Sequence, residues 1–251
     1  MAVNEIDIKT LEEKNREMVN RVIKEEKDKL ITLFNEEDGH TLFEKNDVMN
    51  IFMYFDNIFS EFDIYTTRYS IQTYFENIHF KESIDFNGSL YSSMLRLPAN
   101  TPDGKYLFML DMNNDINKIM GIGIIRNHLA KDQTINIYDN PTFNNYIYKS
   151  SFYIPLIDTS CIDRENAKKR RKKTKYTYYE NIQESWIEFI ENEFEKEIFY
   201  GKTHLKRGGS FTRFPIKKLK YRHLMFILCM FIILNPQDFN NIIACRYLEY
   251  V

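Results

Sequence analysis

Tyr106 to Met112, YLFMLDM, and Ile119 to Ile125, IMGIGII, are two apolar runs of strand length separated by the polar stretch Asn113 to Lys118. Runs of this size bounded by turn residues read as two strands joined in a hairpin. Ile135 to Tyr138 reads as a third strand and Tyr146 to Ile157, YIYKSSFYIPLI, as a fourth with partial alternation. A small antiparallel sheet at the centre of the chain, with helices before and after it, defines an α+β protein.

Upstream, Leu11, Met18, Val22, Leu30 and Phe34 punctuate charge clusters over Ile8 to Phe34, the pattern of a long helix with a solvated face. Val48, Ile51, Phe52, Phe55, Ile58 and Phe59 recur at three and four residues and predict a second helix with a wide aromatic face. Tyr65 to Ser93 is mixed, with a short helix over Ser70 to Ile78 and turn chemistry at Asn87-Gly88. Downstream, Ile182, Trp186, Phe189, Ile190 and Phe194 form the stripe of a helix over Glu180 to Phe199 that ends near Gly201. A basic loop, Lys202 to Arg213, then leads through Pro215 into a helix containing Leu224 to Leu234, and Asn235-Pro236 opens a final helix, Gln237 to Leu248. The expected organisation is acidic helices over 1–62, a β-rich centre over 63–160, a basic linker over 161–176 and a helical region over 177–251 packed on the same core.

Charge is divided along the chain. The first hundred residues carry 11 Lys or Arg against 19 Asp or Glu, and the remainder 23 against 17, so the two parts suit different partners. The run LMFILCMFIIL is about half of the roughly 20 residues that cross a bilayer, so it predicts a buried helix and no membrane partner. MAVNEIDIKTLEEK is polar and acidic where a signal peptide is basic and then apolar. Cys161, Cys229 and Cys245 are odd in number and widely spaced, which suits a reducing, intracellular compartment. Few Gly, Pro and Ala beside many Asn, Ile and Lys point to an AT-rich genome.

No motif in the sequence specifies a reaction. Gly121-Ile-Gly-Ile-Ile-Arg126 has Arg where a dinucleotide fingerprint needs its third glycine, and it lies in a strand, where glycines on one face allow close backbone approach, a bulge or a ligand, a barrel-type bend without ligand being the favoured reading. The five histidines never fall at metal-ligand spacing with one another or with Cys, and no P-loop, nucleophile elbow or HExxH is present. Asp111, Asp115 and Lys118 invite a metal-dependent nuclease reading, but their spacing suits a polar turn between strands. The reading is therefore non-enzymatic, with no catalytic or metal-binding residue and no cofactor assigned.

The span from Asn87 to Ile157 combines the Tyr-Ser-Ser turn at Tyr91 to Ser93, the strand YLFML, a polar turn, a strand centred on GIG and a later aromatic strand. In that order it resembles the PUA-like barrels, including the EVE and YTH modules. The resemblance implies a small barrel holding a nucleobase in an aromatic-lined pocket, for which Tyr91, Ser92, Asn113, Asn114 and Tyr148 are the candidates. YTH-type cages use tryptophans, whereas the single Trp here, Trp186, falls on a helix, so Tyr or Phe would take that part. The Asn-rich and Tyr-rich style of the chain also resembles uncharacterised proteins of giant DNA viruses.

Two basic segments carry the functional expectation. Lys168, Lys169, Arg170, Arg171, Lys172 and Lys173 form an uninterrupted run followed by Lys175, Tyr176, Tyr178 and Tyr179, which sets cations beside aromatics as phosphate neutralisation and base stacking require. Lys206, Arg207 and Arg213 flank Gly208-Gly209, a loop whose backbone amides suit a phosphate. These residues predict a nucleic-acid-binding protein with DNA or RNA as partner. The run also matches a nuclear-import signal, consistent with a nuclear or viral-factory location. The alternatives are a structural or protein-interaction protein whose acidic helices and basic loop dock on other proteins or on further copies of itself, and the metal-dependent nuclease.

Overall fold

The computed structural model describes residues 62–130, 135–162, 176–215, 217–218 and 221–234, together with six helical positions between 21 and 32. The second predicted helix over Val48 to Phe59, the run Lys168 to Lys173 and the final helix over Gln237 to Leu248 lie outside the described residues. The helical positions agree with the pattern of the first 34 residues, with Arg21 4.0 Å from Glu25 one turn on.

Strand β1 (Phe62–Tyr69) leads into helix α1 (Ile71–Ser83), followed by β2 (Ser89–Ser93), β3 (Tyr106–Asn113) and β4 (Lys118–Arg126). Then come β5 (Tyr146–Ser150), β6 (Tyr153–Pro155), α2 (Glu184–Phe189), a π-helical turn (Ile190–Glu195), α3 (Lys196–Phe199), β7 (Phe211–Arg213) and α4 (Tyr221–Leu234). The main sheet has the order β6-β4-β3-β1-β7, and β2 pairs with β5 in a second, two-stranded sheet. The protein is thus α+β, and the predicted hairpin is β3–β4.

Four expectations need correction. The main sheet is mixed, because β1 runs parallel to β3; α1 carries the chain back before β3 begins, which a hairpin cannot do. The sheet is open, with β6 and β7 at its edges, and does not close into a barrel. Ile135 to Tyr138 is not a strand: the Asn144 side chain accepts from the amides of Ile137 and Tyr138, both at 3.0 Å, and satisfies the backbone in place of a neighbouring strand. The segment read as one strand over Tyr146 to Ile157 divides at Ser151, β5 pairing with β2 and β6 with β4.

The two faces of the main sheet differ chemically. Partners in the ladder share a face, so Phe62, Ile64, Phe108, Leu110, Ile122, Ile124 and Ile154 form one side. This side is apolar and packs with α4, Phe108 lying 5.8 Å from Phe231 between ring centroids. Residues 224–231 of α4 are all buried, so the apolar run is core, and among the described residues no helix is long and apolar enough to cross a membrane.

The opposite side carries Tyr65, Thr67, Tyr69, Met109, Asp111, Asn113, Gly123, Tyr153 and Phe211. It is buried as well, but largely by polar and aromatic groups beneath α1 and the β2–β5 pair. Buried polar side chains carry a desolvation cost unless partnered, so a layer this rich in hydroxyls is the part of the core that packing alone does not account for.

Candidate functional site

Asp111 sits at the centre of the polar face. Between Leu110 and Met112 the β3–β4 register slips, placing Met120 and Gly121 opposite Asp111 in a β-bulge. Bulges re-aim side chains and recur beside functional sites. The glycines of GIG have a steric reason: a Cβ on Gly121 would meet the Tyr153 hydroxyl, and one on Gly123 would meet Ser89 Oγ and the Tyr91 hydroxyl, nearer than atoms pack. The predicted close approach is therefore present, and what approaches is a set of hydroxyls from β2 and β6.

These hydroxyls surround the carboxyl. Thr67 Oγ1 donates to Asp111 Oδ1 at 3.2 Å and Tyr153 donates to Oδ2 at 3.0 Å. Tyr74 from α1 lies 3.4 Å from the Tyr153 hydroxyl, and Lys81 Nζ stands 4.0 Å above the Tyr153 ring. The Tyr91 hydroxyl lies beside Asp111 and Ser89 but makes no hydrogen bond of ordinary geometry, and Asn113 Nδ2 is also buried without one. Burial pushes the Asp111 carboxyl up to about 7, against the opposing influence of Tyr91, Tyr153, Lys81 and Thr67. Desolvation likewise raises the phenols of Tyr69, Tyr74, Tyr91 and Tyr153 and lowers the Lys81 amine. The tyrosines therefore stay neutral donors while Asp111 titrates near neutrality.

A half-open cleft of about 60 Å³ adjoins this cluster. Thr67 and Tyr91 separate it from Asp111; Tyr69, Tyr138, Phe143 and Phe211 supply aromatic walls, and Thr73, Ser92 and Ser210 supply hydroxyls. Arg68 is exposed at its edge. The volume suits a few waters or one small polar group and falls short of a nucleobase.

One wall is the second basic segment. Its turn Leu205–Arg207 leads through Gly208-Gly209 into β7, and the backbone of Arg68 donates to Ser210 O at 3.1 Å while its guanidinium donates to Gly208 O at 3.2 Å. Asn114 Nδ2 donates to Lys206 O at 3.2 Å, so the β3–β4 turn and the basic turn are tied together beside the cleft. Arg207 is exposed and Lys206 donates to Asn117. Arg213 is committed to Asp63 at 2.6 Å, where Lys105 also pairs at 2.9 Å.

Of the residues proposed for a pocket, Tyr91 and Ser92 line the cleft. Asn113 is paired in the ladder with the cleft-lining Tyr69, and Asn114 holds the basic turn. Tyr148 supports the wall from behind, its ring 5.6 Å edge-on from Phe211 and its hydroxyl accepting from the Leu97 amide at 3.1 Å. The acidic pair does not converge: Asp111 lies inside β3, whereas Asp115 accepts from the Ile71 amide at 3.0 Å at the start of α1. The turn reading thus applies to Asp115 and not to Asp111. An acidic residue within an apolar strand, one turn from a strand carrying two glycines, was the signal in the sequence; nothing local marked Thr67 or Arg68.

Away from the cleft, the π-helical turn brings Glu195 under β4, where it accepts from the Ile119 amide and from Lys118 Nζ, both at 3.0 Å. Burial opposes the Lys118 charge, but Glu195 and Glu191 outweigh it and hold the amine above its usual range. This buried ion pair clamps the helical region to the sheet.

No family model, curated protein or solved structure matches the chain.

Proposed function

We propose that this is a non-enzymatic nucleic-acid-binding protein that holds the sugar-phosphate backbone at the cleft between β1, β2 and the basic turn before β7. The observation that carries the reading is the docking of Lys206 to Phe211 onto the end of β1, which sets Ser210 and Phe211 in the cleft wall with Arg68 at the edge. The Arg68 guanidinium, hydroxyl groups and aromatic faces then meet at one opening of a size for a phosphate oxygen cluster, with Lys206 and Arg207 on the adjoining turn. Such a surface positions a strand through its backbone and stacks on sugars or bases at the rim. Lys168 to Lys173 supply a second cationic segment in this reading.

The test is binding of single-stranded DNA and RNA as a function of salt. Each phosphate neutralised on a single strand contributes about 0.7 to the log-log slope. Replacing Arg68, Lys206 and Arg207 with Ala reduces the slope by about 2, and replacing Lys168 to Lys173 reduces it further. No binding near physiological ionic strength, or binding indifferent to both sets of changes, overturns the proposal in favour of a protein-interaction role.

A further inference from the structure

Thr67 belongs to two environments at once. It lines the cleft, and its hydroxyl gives its one hydrogen to Asp111 Oδ1 at 3.2 Å. While that bond is made, the hydroxyl offers the cleft only lone pairs, backed by a buried negative charge. Both features repel a phosphate oxygen.

We infer that Asp111 determines which charge the cleft accepts: as a carboxylate it draws the Thr67 hydrogen inward and disfavours anions, and as a carboxylic acid it donates to Thr67 and returns that hydrogen to the cleft. The inference rests on the phosphate-binding reading of the cleft and adds to it a specificity-determining residue that does not touch the ligand. The groups facing Asp111 from each packed element are Thr67 and Tyr69 of β1, Tyr74 and Lys81 of α1, Tyr91 of β2, Tyr153 of β6, and Tyr138 ahead of the turn at Pro141. Among them Asp111 is the one brought to about 7, because burial opposes its charge more than the surrounding donors favour it. The tyrosines are displaced upward and remain donors, so the exchange of one proton reverses the hydrogen-bond direction at Thr67 without other change.

The experiment is anisotropy of a tetramethylrhodamine-labelled oligothymidylate at pH 6 and pH 8 and constant ionic strength, since phosphodiesters do not titrate in that interval. Coupling between a proton and a neighbouring ligand is commonly worth about fivefold or more in affinity. The wild-type Kd should rise by about threefold to tenfold from pH 6 to pH 8, the upper bound being the fall in the protonated fraction of Asp111. Asp111→Asn should hold the tighter value at both, because the amide donates to Thr67 permanently. Thr67→Val should shrink the rise, and it serves as the test if circular dichroism shows that Asp111→Asn does not fold. Equal wild-type affinity at both pH values overturns this inference and leaves the cleft as a phosphate site. A pH dependence that survives in Asp111→Asn and Thr67→Val also overturns it, assigning the effect to another group. No binding at either pH overturns both readings together.

Discussion

Replacing Asp111 by Asn should change how stability depends on pH, and the sign is opposite to that of a typical paired carboxylate. Burial raises this carboxyl from 3.8 to about 7. Between those values the folded chain holds a proton that the unfolded chain has released, so the stability this group confers is greatest in acid, declines as pH rises towards 7 and is level beyond. At about 1.4 kcal/mol per unit, the two units from pH 5 to 7 amount to about 3 kcal/mol, and pH 8 adds little. Asn has no proton to exchange but keeps an acceptor and a donor for Tyr153 and Thr67. Urea titrations of both proteins at pH 5, 6, 7 and 8, followed by circular dichroism, give the comparison. The variant should gain on the wild type by about 3 kcal/mol between pH 5 and pH 8 with unchanged m-values. Parallel profiles would refute the argument and show that Asp111 ionises inside the fold as readily as outside it.

Gly123→Ala should lower stability by about 1–3 kcal/mol, since its Cβ must displace Ser89 and Tyr91 from a packed layer; a thermal midpoint equal to wild type would contradict the close approach. Glu195→Ala should cost about 1–3 kcal/mol by leaving the Ile119 amide without its buried acceptor, while Lys118 keeps its pairing with Glu191. Glu195→Gln should cost less, because its carbonyl still accepts from Ile119, and an Ala variant as stable as the Gln variant would refute the clamp.

The features readable from the sequence were those carried by short-range pattern. Two apolar runs with a polar turn between them became β3 and β4, the stripe from Trp186 to Phe194 became a helical segment that starts at Glu184, and LMFILCMFIIL became buried helix, each because the spacing of apolar side chains selects a backbone period. The α+β class followed from those elements, and the glycines of GIG announced a close approach without saying to what. Tertiary structure decided the rest, through contacts between residues far apart in sequence. Parallel pairing of β1 with β3 depends on where α1 delivers the chain, and the division of Tyr146 to Ile157 between two sheets depends on which strand lies opposite each half. The cleft depends on both: Thr67, Tyr91 and Phe211 meet there only after β2 is laid over the sheet and β7 is added at its edge. Asp111 shows the limit most clearly. Its identity was visible in YLFMLDM, but whether a carboxyl is a solvated turn residue or a buried acid depends on the desolvation and hydroxyl donors that other strands impose, and those belong to the fold.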